Sequence, residues 1–213
     1  MIFFSAAVKL FVHSADPTEI GACVAAKATA GVTTSAAQLE DAARRAGGTP
    51  RDLLGAICRV ANGPVCVAVA ATDHDGILRE ARDWAAVAHN VVVTLPGTDV
   101  GIDLVRACAA ARIPTGVLAG TSPEQALAAA RAGAAYMTVP VGRAGGVDGY
   151  DLIRKLVALL RTCDAATQVI AGAIRIPAHI IDAALAGAHA ASAPGDVVRE
   201  LDAESTRRAD GRT

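Results

Sequence analysis

The chain has 213 residues, of which 53% are hydrophobic and 19% charged, a composition that supports one globular domain, or at most two small ones, and argues against disorder. Its formal net charge of -1, with no basic stripe, gives no electrostatic support for a nucleic-acid or anionic-membrane partner. The 3% aromatic content likewise argues against a base-stacking surface. No apolar run reaches the roughly 18 residues that span a bilayer, and residues 1–8 lack the basic start of a signal peptide.

The five cysteines are isolated from one another in the sequence. They contain no Cys-x-x-Cys pair and no zinc spacing, and their number is odd. This pattern is more typical of a reducing cytosol than of a disulfide framework. We therefore expect a cytoplasmic protein without a metal site.

Short β-branched runs alternate with Ala-rich stretches of helical length along the chain. The expected strands are 8–12, 31–34, 65–70, 91–93, 113–117, 135–138, 169–171 and 189–192. Helices are expected over 37–45, 50–61, about 75–88, about 99–111 and 148–160. Three more are expected to begin at Asp16-Pro17, at Ser122-Pro123 and at Pro177, and a short one should follow the last strand. The helix that begins at Asp16-Pro17 has a good start signal, with Asp16 as N-cap, Pro17 at the first helical position and Glu19 three residues after the cap.

Eight strand-then-helix units predict an α/β fold, a single (β/α)8 TIM barrel over residues 1–202, with a polar, frayed tail over 203–213. The alternative is an open, doubly wound sheet. That fold would need a glycine-rich phosphate-binding turn after the first strand, where this chain has Val12-His13-Ser14-Ala15. The barrel is therefore the favoured architecture.

Segments spread from about residue 9 to residue 198 resemble the small transaldolases, the class I aldolase group that includes fructose-6-phosphate aldolase. Phe11 to Ala15 is similar to the family's F-I-D-T-A, and Gly31 to Ala36 to its G-V-T-T-N-P. The other matches are Asn90–Pro96 with N-V-V-V-K-I-P, Ala132–Arg143 with A-G-A-x-Y-V-S-P-F-V-G-R, Val169–Pro177 with V-I-A-A-S-I-R-x-P, and Ala184–Ala188 with A-L-A-G-A. The resemblance implies a transaldolase-like barrel.

The chain departs from this family at the catalytic positions. The resemblance implies a Schiff-base lysine on the fourth strand, where this chain has Thr94, and a threonine cannot form an iminium. The only lysines are Lys9, Lys27 and Lys155, none of them expected near the mouth. Other family polar or aromatic positions carry His13, Ser35, Ala68, Gly116, Leu118, Pro140 and Ala173. Aldolase activity by the family mechanism is therefore predicted to be absent.

Two basic positions of the family are retained. The resemblance implies that Arg143 and Arg175 sit at the mouth of the barrel and hold a substrate phosphate, and the forked guanidinium suits that task. Both arginines could instead pair with acidic residues on neighbouring loops. The retained match favours a small anionic metabolite as the ligand.

His13 is the leading catalytic candidate. It should lie at the carboxyl end of the first strand, on the same inward face as Phe11, where barrel enzymes place catalytic groups. An imidazole there could be a general acid or base near neutral pH, or a polar residue left after selection on the family aspartate relaxed. Five hydroxyl residues should ring the same mouth, either to hydrogen-bond a ligand or as space fillers: Ser14, Ser35, Thr94, Thr138 and Ser192.

Two further features have simple structural explanations. Asp73-His74-Asp75 looks like a metal cluster, but helix capping before Gly76 accounts for its carboxylates. Cys66 is expected to point into the barrel as a small apolar filler rather than as a nucleophile.

The sequence leaves three functional readings open. The first is a repurposed enzyme doing isomerase- or lyase-type acid–base chemistry on a small phosphorylated or carboxylated metabolite, with no cofactor. The second is a catalytically inactive pseudoenzyme that binds a metabolite or a partner protein. The third, an aldolase that has moved its lysine, requires Lys27 to reach the mouth. A homo-oligomer stays open, since the family's long C-terminal segment is short and polar here.

Overall fold

The computed structural model describes residues 8–118, 122–142 and 148–201. The strands are β1 Lys9–His13, β2 Gly31–Ser35, β3 Val65–Ala68, β4 Val91–Pro96, β5 Thr115–Leu118, β6 Tyr136–Pro140, β7 Gln168–Gly172 and β8 Ala190–Ala193. The helices are α1 Pro17–Ala25, α2 Ala36–Ala46, α3 Pro50–Val60, α4 His74–Ala85, α5 Asp99–Ala110, α6 Pro123–Ala132, α7 Gly149–Thr162 and α8 Pro177–Leu185. Residues 195–201 form a further helical segment.

The strands pair in parallel in chain order, and β8 closes on β1. This closed barrel confirms the predicted (β/α)8 architecture and excludes the open doubly wound sheet. The expected residue limits hold to within a few residues, the largest differences being the end of α4 at Ala85 rather than near residue 88 and the end of β4 at Pro96 rather than at residue 93. The whole of the predicted tail, residues 203–213, lies outside the described residues, so the boundary at residue 202 stays a prediction.

Side-chain alternation divides the core into two layers. Val12 and Val32 point outward from their strands and pack with the helices. The alternate positions fill the lumen with a separate cluster of Phe11, Cys66, Val92, Ile170 and Ala190. The inward position of Phe11 and Cys66 confirms the predicted strand phase. The lumen is thus filled in its lower part, and only its carboxyl end is left open.

The start of α1 is fixed by an N-terminal cap. Asp16 caps α1 through a 2.8 Å bond from the Thr18 N–H, as predicted. The reciprocal half of the expected capping box is absent, because the Asp16 N–H donates to Ser14 Oγ instead. Glu19 turns towards Arg199, 3.9 Å away. The helical segment 195–201 is thereby tied to α1 rather than to its own strand alone.

Within the described residues, no helix combines the length and apolarity needed to cross a bilayer.

Candidate active site at the mouth of the barrel

The carboxyl ends of the strands surround a cavity of about 280 Å³. Its polar lining consists mainly of His13, Thr33, Ser35, Thr94, Thr138 and Ser192. The predicted catalytic residues His13, Thr94 and Ser35, and the predicted binding residues Thr138 and Ser192, are therefore brought together in one cavity. Their side chains meet because each points into the barrel near the carboxyl end of its strand.

Ser14 was expected to join this ring, and that expectation is wrong. Ser14 is buried and is not part of the cavity lining. It lies directly after β1 and points outward from the barrel, as Val12 does. Its hydroxyl accepts the Asp16 N–H at 3.0 Å. Ser14 therefore shapes the start of α1 and does not face a ligand.

His13 is held on one side by two hydroxyls in series. It pairs with Thr33 in the register of β1 and β2, and its Nδ1 lies 2.9 Å from Thr33 Oγ1. Thr33 Oγ1 in turn lies 2.5 Å from Ser192 Oγ, which comes from β8 on the other side of β1. Three neighbouring strands thus fix one edge of the imidazole.

The other edge of the ring contacts Gln38, a residue that sequence reasoning missed. Gln38 Nε2 lies 3.1 Å from His13 Nε2. Gln38 is the third residue of α2, which begins directly where β2 ends. A polar residue in the first turn of a helix that starts at the mouth is the signal that could have found it.

Ser35 holds Gln38 rather than facing the cavity alone. Ser35 is the N-cap of α2, and its Oγ accepts the Gln38 backbone N–H at 3.2 Å. The Ser35 hydroxyl donates to Gln38 Oε1 at 3.4 Å, and the Thr34 hydroxyl does the same at 3.4 Å. These contacts give Ser35 a capping role that the sequence did not predict, and its catalytic role stays a prediction.

The surroundings of His13 favour the neutral imidazole. Its side chain is exposed to the cavity, yet the barrel rim surrounds it closely, and this desolvation lowers its pKa below the usual 6.5. A hydrogen bond to the Thr33 backbone acts in the opposite direction and is the smaller effect. The ring is therefore an unprotonated group at neutral pH that could accept a proton.

Two hydroxyls in the cavity form no hydrogen bond with the described residues. Within the described part of the chain, no group hydrogen-bonds the side chains of Thr94 or Thr138, although both line the cavity. The Thr94 hydroxyl stays accessible partly because its register partner on β5 is Gly116, where an added Cβ would come within 3.2 Å of Oγ1. Both hydroxyls can therefore bind oxygen atoms of a ligand.

All three lysines of the chain lie in described parts of the structure and away from the cavity lining. Lys9 begins β1 at the amino end of the barrel, and Lys27 lies in the turn before β2 begins. Lys155 is on α7, where its Nζ pairs with Asp151 at 2.7 Å. The reading in which Lys27 reaches the mouth is therefore wrong in this structure.

Only one of the two arginines of the predicted anion site lies within the described residues. Arg143 lies outside the described residues. Arg175 is exposed and follows Ile174, which lines the cavity, but Arg175 itself does not. Its role in binding an anion stays a prediction.

The remaining candidates have structural roles. Burial raises the pKa of the Cys66 thiol to about 12, so it stays protonated and is a poor nucleophile, consistent with its position as a filler. Asp73 caps α4 by accepting the Gly76 N–H at 2.9 Å, as predicted. Among the described residues, no group of three or more His, Cys, Asp or Glu side chains is arranged to hold a metal ion.

A closed parallel barrel with a cavity at its carboxyl end, into which several polar side chains point, has the organisation of TIM-barrel enzymes, which place their active sites there. Comparison with known families agrees. The chain belongs to the transaldolase/fructose-6-phosphate aldolase family, whose model matches residues 11–211. The resemblance noted in the sequence is thereby confirmed.

Curated relatives match over most of their length. A protein of Sorangium cellulosum named "Probable transaldolase" is 38% identical over 196 residues, which is 91% of this chain and 89% of the relative. A protein of Desulforamulus reducens with the same name is 37% identical over 194 residues, covering 90% of this chain and 88% of the relative. These names place the chain in a family of enzymes.

A solved structure also has a similar fold. It is described as a cube-shaped, highly porous protein cage designed by fusing symmetric oligomeric domains, and it aligns with a TM-score of 0.62. The alignment covers 96% of this chain and 77% of that chain at 14% identity. At this identity, the similarity concerns the fold alone.

Proposed function

We propose that this protein is an enzyme that carries out isomerase- or lyase-type acid–base chemistry, without a Schiff base, on a small phosphorylated or carboxylated metabolite. The observation that carries the proposal is the fixed, neutral imidazole of His13 at the carboxyl end of the barrel, beside hydroxyls that have no hydrogen-bond partner among the described residues. His13 would move the proton. Thr94 and Thr138 would bind the substrate oxygen atoms.

The chemistry of the cavity supports this division of roles. A neutral imidazole can accept a proton from a carbon next to a carbonyl group and return it to a neighbouring atom. The Thr33 hydroxyl, at 2.9 Å, would stabilise the imidazolium formed on the way. Since Thr94 replaces the family lysine, no covalent electron sink is available, and hydroxyl hydrogen bonds to the carbonyl oxygen would polarise the substrate instead.

The charge distribution favours a substrate whose anionic group binds outside the cavity rather than inside it. Among the described lining residues, the only titratable side chains are His13 and Cys66, and neither offers a permanent positive charge. Arg143 and Arg175 are the family positions that would hold the anion at the rim. The neutral, reacting end of the metabolite would then occupy the cavity.

Hydrogen exchange tests the acid–base step without a known product. Triose phosphates, sugar phosphates and small carboxylates are incubated with the protein in D₂O, and loss of C–H signals is followed by NMR. We expect exchange for at least one compound, with a decrease of about 100- to 10,000-fold in His13→Ala. His189→Ala is the matched control, because His189 precedes β8 at the opposite end of the barrel. Exchange that is unchanged in His13→Ala would contradict the role of His13.

Thermal-shift measurements with the same compounds test the anion site. A ligand present at 100 times its Kd should stabilise the fold by about 2.7 kcal/mol, a rise in Tm of several degrees. Arg143→Ala and Arg175→Ala should each reduce the rise, whereas Arg161→Ala, in the last turn of α7, should not. A rise that survives both mouth substitutions would place the anion elsewhere.

The alternative is a pseudoenzyme that binds a metabolite or a protein. It is favoured by one observation: Leu118, Pro140 and Ala173 line the cavity at positions where the family is polar or aromatic. Ligand binding in the thermal-shift panel with no exchange for any compound would support this alternative.

A further inference from the structure

We propose that Gln38 is a positioning residue that fixes the tautomer of His13, with the hydrogen on Nδ1 and the lone pair on Nε2, so that Nε2 is the nitrogen that meets a ligand. The inference rests on the proposed function, since a defined tautomer matters only if His13 transfers protons. It concerns a residue outside the positions that the family resemblance identified.

The hydrogen bonds around Gln38 orient its amide. Gln38 Oε1 faces the hydroxyls of Thr34 and Ser35, each at 3.4 Å, and accepts from both. Ser35 Oγ already accepts the Gln38 backbone N–H at 3.2 Å, which leaves the Ser35 hydroxyl hydrogen free to donate to the amide oxygen. The amide NH₂ then faces His13.

The position of the amide nitrogen determines which ring nitrogen carries the hydrogen. An NH₂ group has no lone pair to offer, so His13 Nε2, 3.1 Å away, must be the acceptor. In a neutral imidazole the hydrogen is then on Nδ1, which donates to Thr33 Oγ1 at 2.9 Å. The hydroxyl hydrogen of Thr33 remains for Ser192 Oγ.

The opposite edge of the ring agrees with this assignment. His13 Nδ1 faces Thr33 Oγ1 at 2.9 Å, and this hydroxyl can accept the Nδ1 hydrogen while it donates its own hydrogen to Ser192 Oγ. The Gln38 edge of the ring therefore specifies the tautomer, and the Thr33 edge accommodates it.

The arrangement has a consequence for ligand binding. Gln38 covers the nitrogen that would accept a proton, and within the described parts of the chain its amide oxygen is held by two long side-chain hydrogen bonds of 3.4 Å. A ligand hydroxyl group, or a C–H group next to a ligand carbonyl, can take the place of the Gln38 amide at Nε2. The hydrogen bonds of the ring to Thr33, and of Thr33 to Ser192, stay in place. Gln38 thus keeps Nε2 unprotonated until a ligand replaces the amide.

The test is NMR of protein labelled with ¹⁵N in its histidines, using the two-bond ring correlations that distinguish protonated from unprotonated nitrogen. The His13 signals are assigned by their loss in His13→Asn. We expect the wild-type protein, above the pKa of His13, to show hydrogen on Nδ1 alone. An Nε2–H tautomer in the wild-type protein would overturn the proposal, and this measurement needs no variant of Gln38.

Two substitutions extend the test. Gln38→Met removes the donor to Nε2, so the tautomer preference should weaken and the pKa of His13 should rise. Gln38→Glu offers an anionic acceptor, which should move hydrogen onto Nε2 and raise the pKa by at least about one unit. Gln125→Met is the matched control: Gln125 is also the third residue of its helix, α6, and lies away from the mouth.

The outcomes separate this proposal from the proposed function. If Gln38→Met leaves both the tautomer and the pKa of His13 as in the wild-type protein, Gln38 does not position the ring, even where deuterium exchange depends on His13. If the tautomer responds as expected while no compound exchanges, the positioning stands and the enzyme proposal fails.

Discussion

Phe11 and Tyr136 meet edge to face inside the barrel, with ring centroids 6.0 Å apart and an interplanar angle of 62°. They come from β1 and β6, which are not neighbours in the sheet, so the contact joins two sides of the lumen. His13 lies two residues beyond Phe11 on the same face of β1, and Thr138 two residues beyond Tyr136 on β6. The aromatic pair therefore supports the layer of side chains that forms the cavity.

Replacing Phe11 with alanine should destabilise the protein strongly. Phe11 is 1% exposed and belongs to the lumen cluster, so the substitution leaves a cavity in a closed barrel and should cost about 3–5 kcal/mol. Urea unfolding measures the loss. Phe11→Leu, which keeps most of the volume, should cost much less, and equal losses in the two variants would argue against cavity formation as the cause.

Replacing Ala173 with glycine should stabilise the protein. Ala173 follows β7 at the mouth with φ +57°, a left-handed conformation that costs a residue with a Cβ about 1–2 kcal/mol. Glycine relieves this strain, and the larger entropy of its unfolded state offsets part of the gain. We expect a net rise of about 1 kcal/mol, measured by thermal unfolding.

Gly47 provides the reverse control for that measurement. It ends α2 with φ +72°, and Gly47→Ala should lower stability by about 1 kcal/mol. Stabilisation by Gly47→Ala, or destabilisation by Ala173→Gly, would mean that backbone strain is not what these positions control.

Stability should decrease as the pH falls from about 6.5 towards 5. The pKa values of His13 and His189 are both lowered, mainly by desolvation, so in this range the unfolded chain binds protons that the folded chain does not. The stabilising contribution of these neutral rings is complete above the unfolded value and is lost on acidification. Urea unfolding at a series of pH values measures the slope.

Single substitutions divide this pH dependence between the two histidines. His13→Asn and His189→Asn should each reduce the slope, and the double variant should reduce it further. A slope between pH 6.5 and 5 that is the same in wild-type protein and double variant would show that other groups carry it.

The wild-type protein should form no reducible adduct with a ketone. Its three lysines lie away from the cavity, so incubation with dihydroxyacetone and borohydride should add no mass at a mouth residue, as measured by peptide mass spectrometry. Thr94→Lys should gain an adduct at position 94, because its register partners Ala68 and Gly116 leave room for the longer side chain.

Thr162→Lys, at the exposed end of α7, controls for non-specific reduction. An adduct on Lys27 or Lys9 of the wild-type protein at the level of Thr94→Lys would restore the aldolase reading.

The barrel itself could be read from the sequence because its signals are local. The alternation of β-branched runs with Ala-rich stretches gave the elements in order, and the phase of Phe11 and His13 gave the face that points inward. The capping of α4 by Asp73 followed from the residues next to it. Such features depend on strand period and helix capping, which neighbouring residues determine.

The arrangement of the site depended on contacts between distant segments. Gln38 stands on the first turn of α2, and the pairing of β1 with β2 brings its amide to His13, 25 residues earlier in the chain. The 2.5 Å contact between Thr33 and Ser192 spans 159 residues and exists because β8 and β2 both flank β1. Sequence alone determined the fold, the family and the strand phase that points His13, Thr94 and Ser192 into the mouth, since these follow from local pattern. Tertiary structure decided which of those side chains contact one another, because hydrogen bonding depends on distances that only the closed barrel sets.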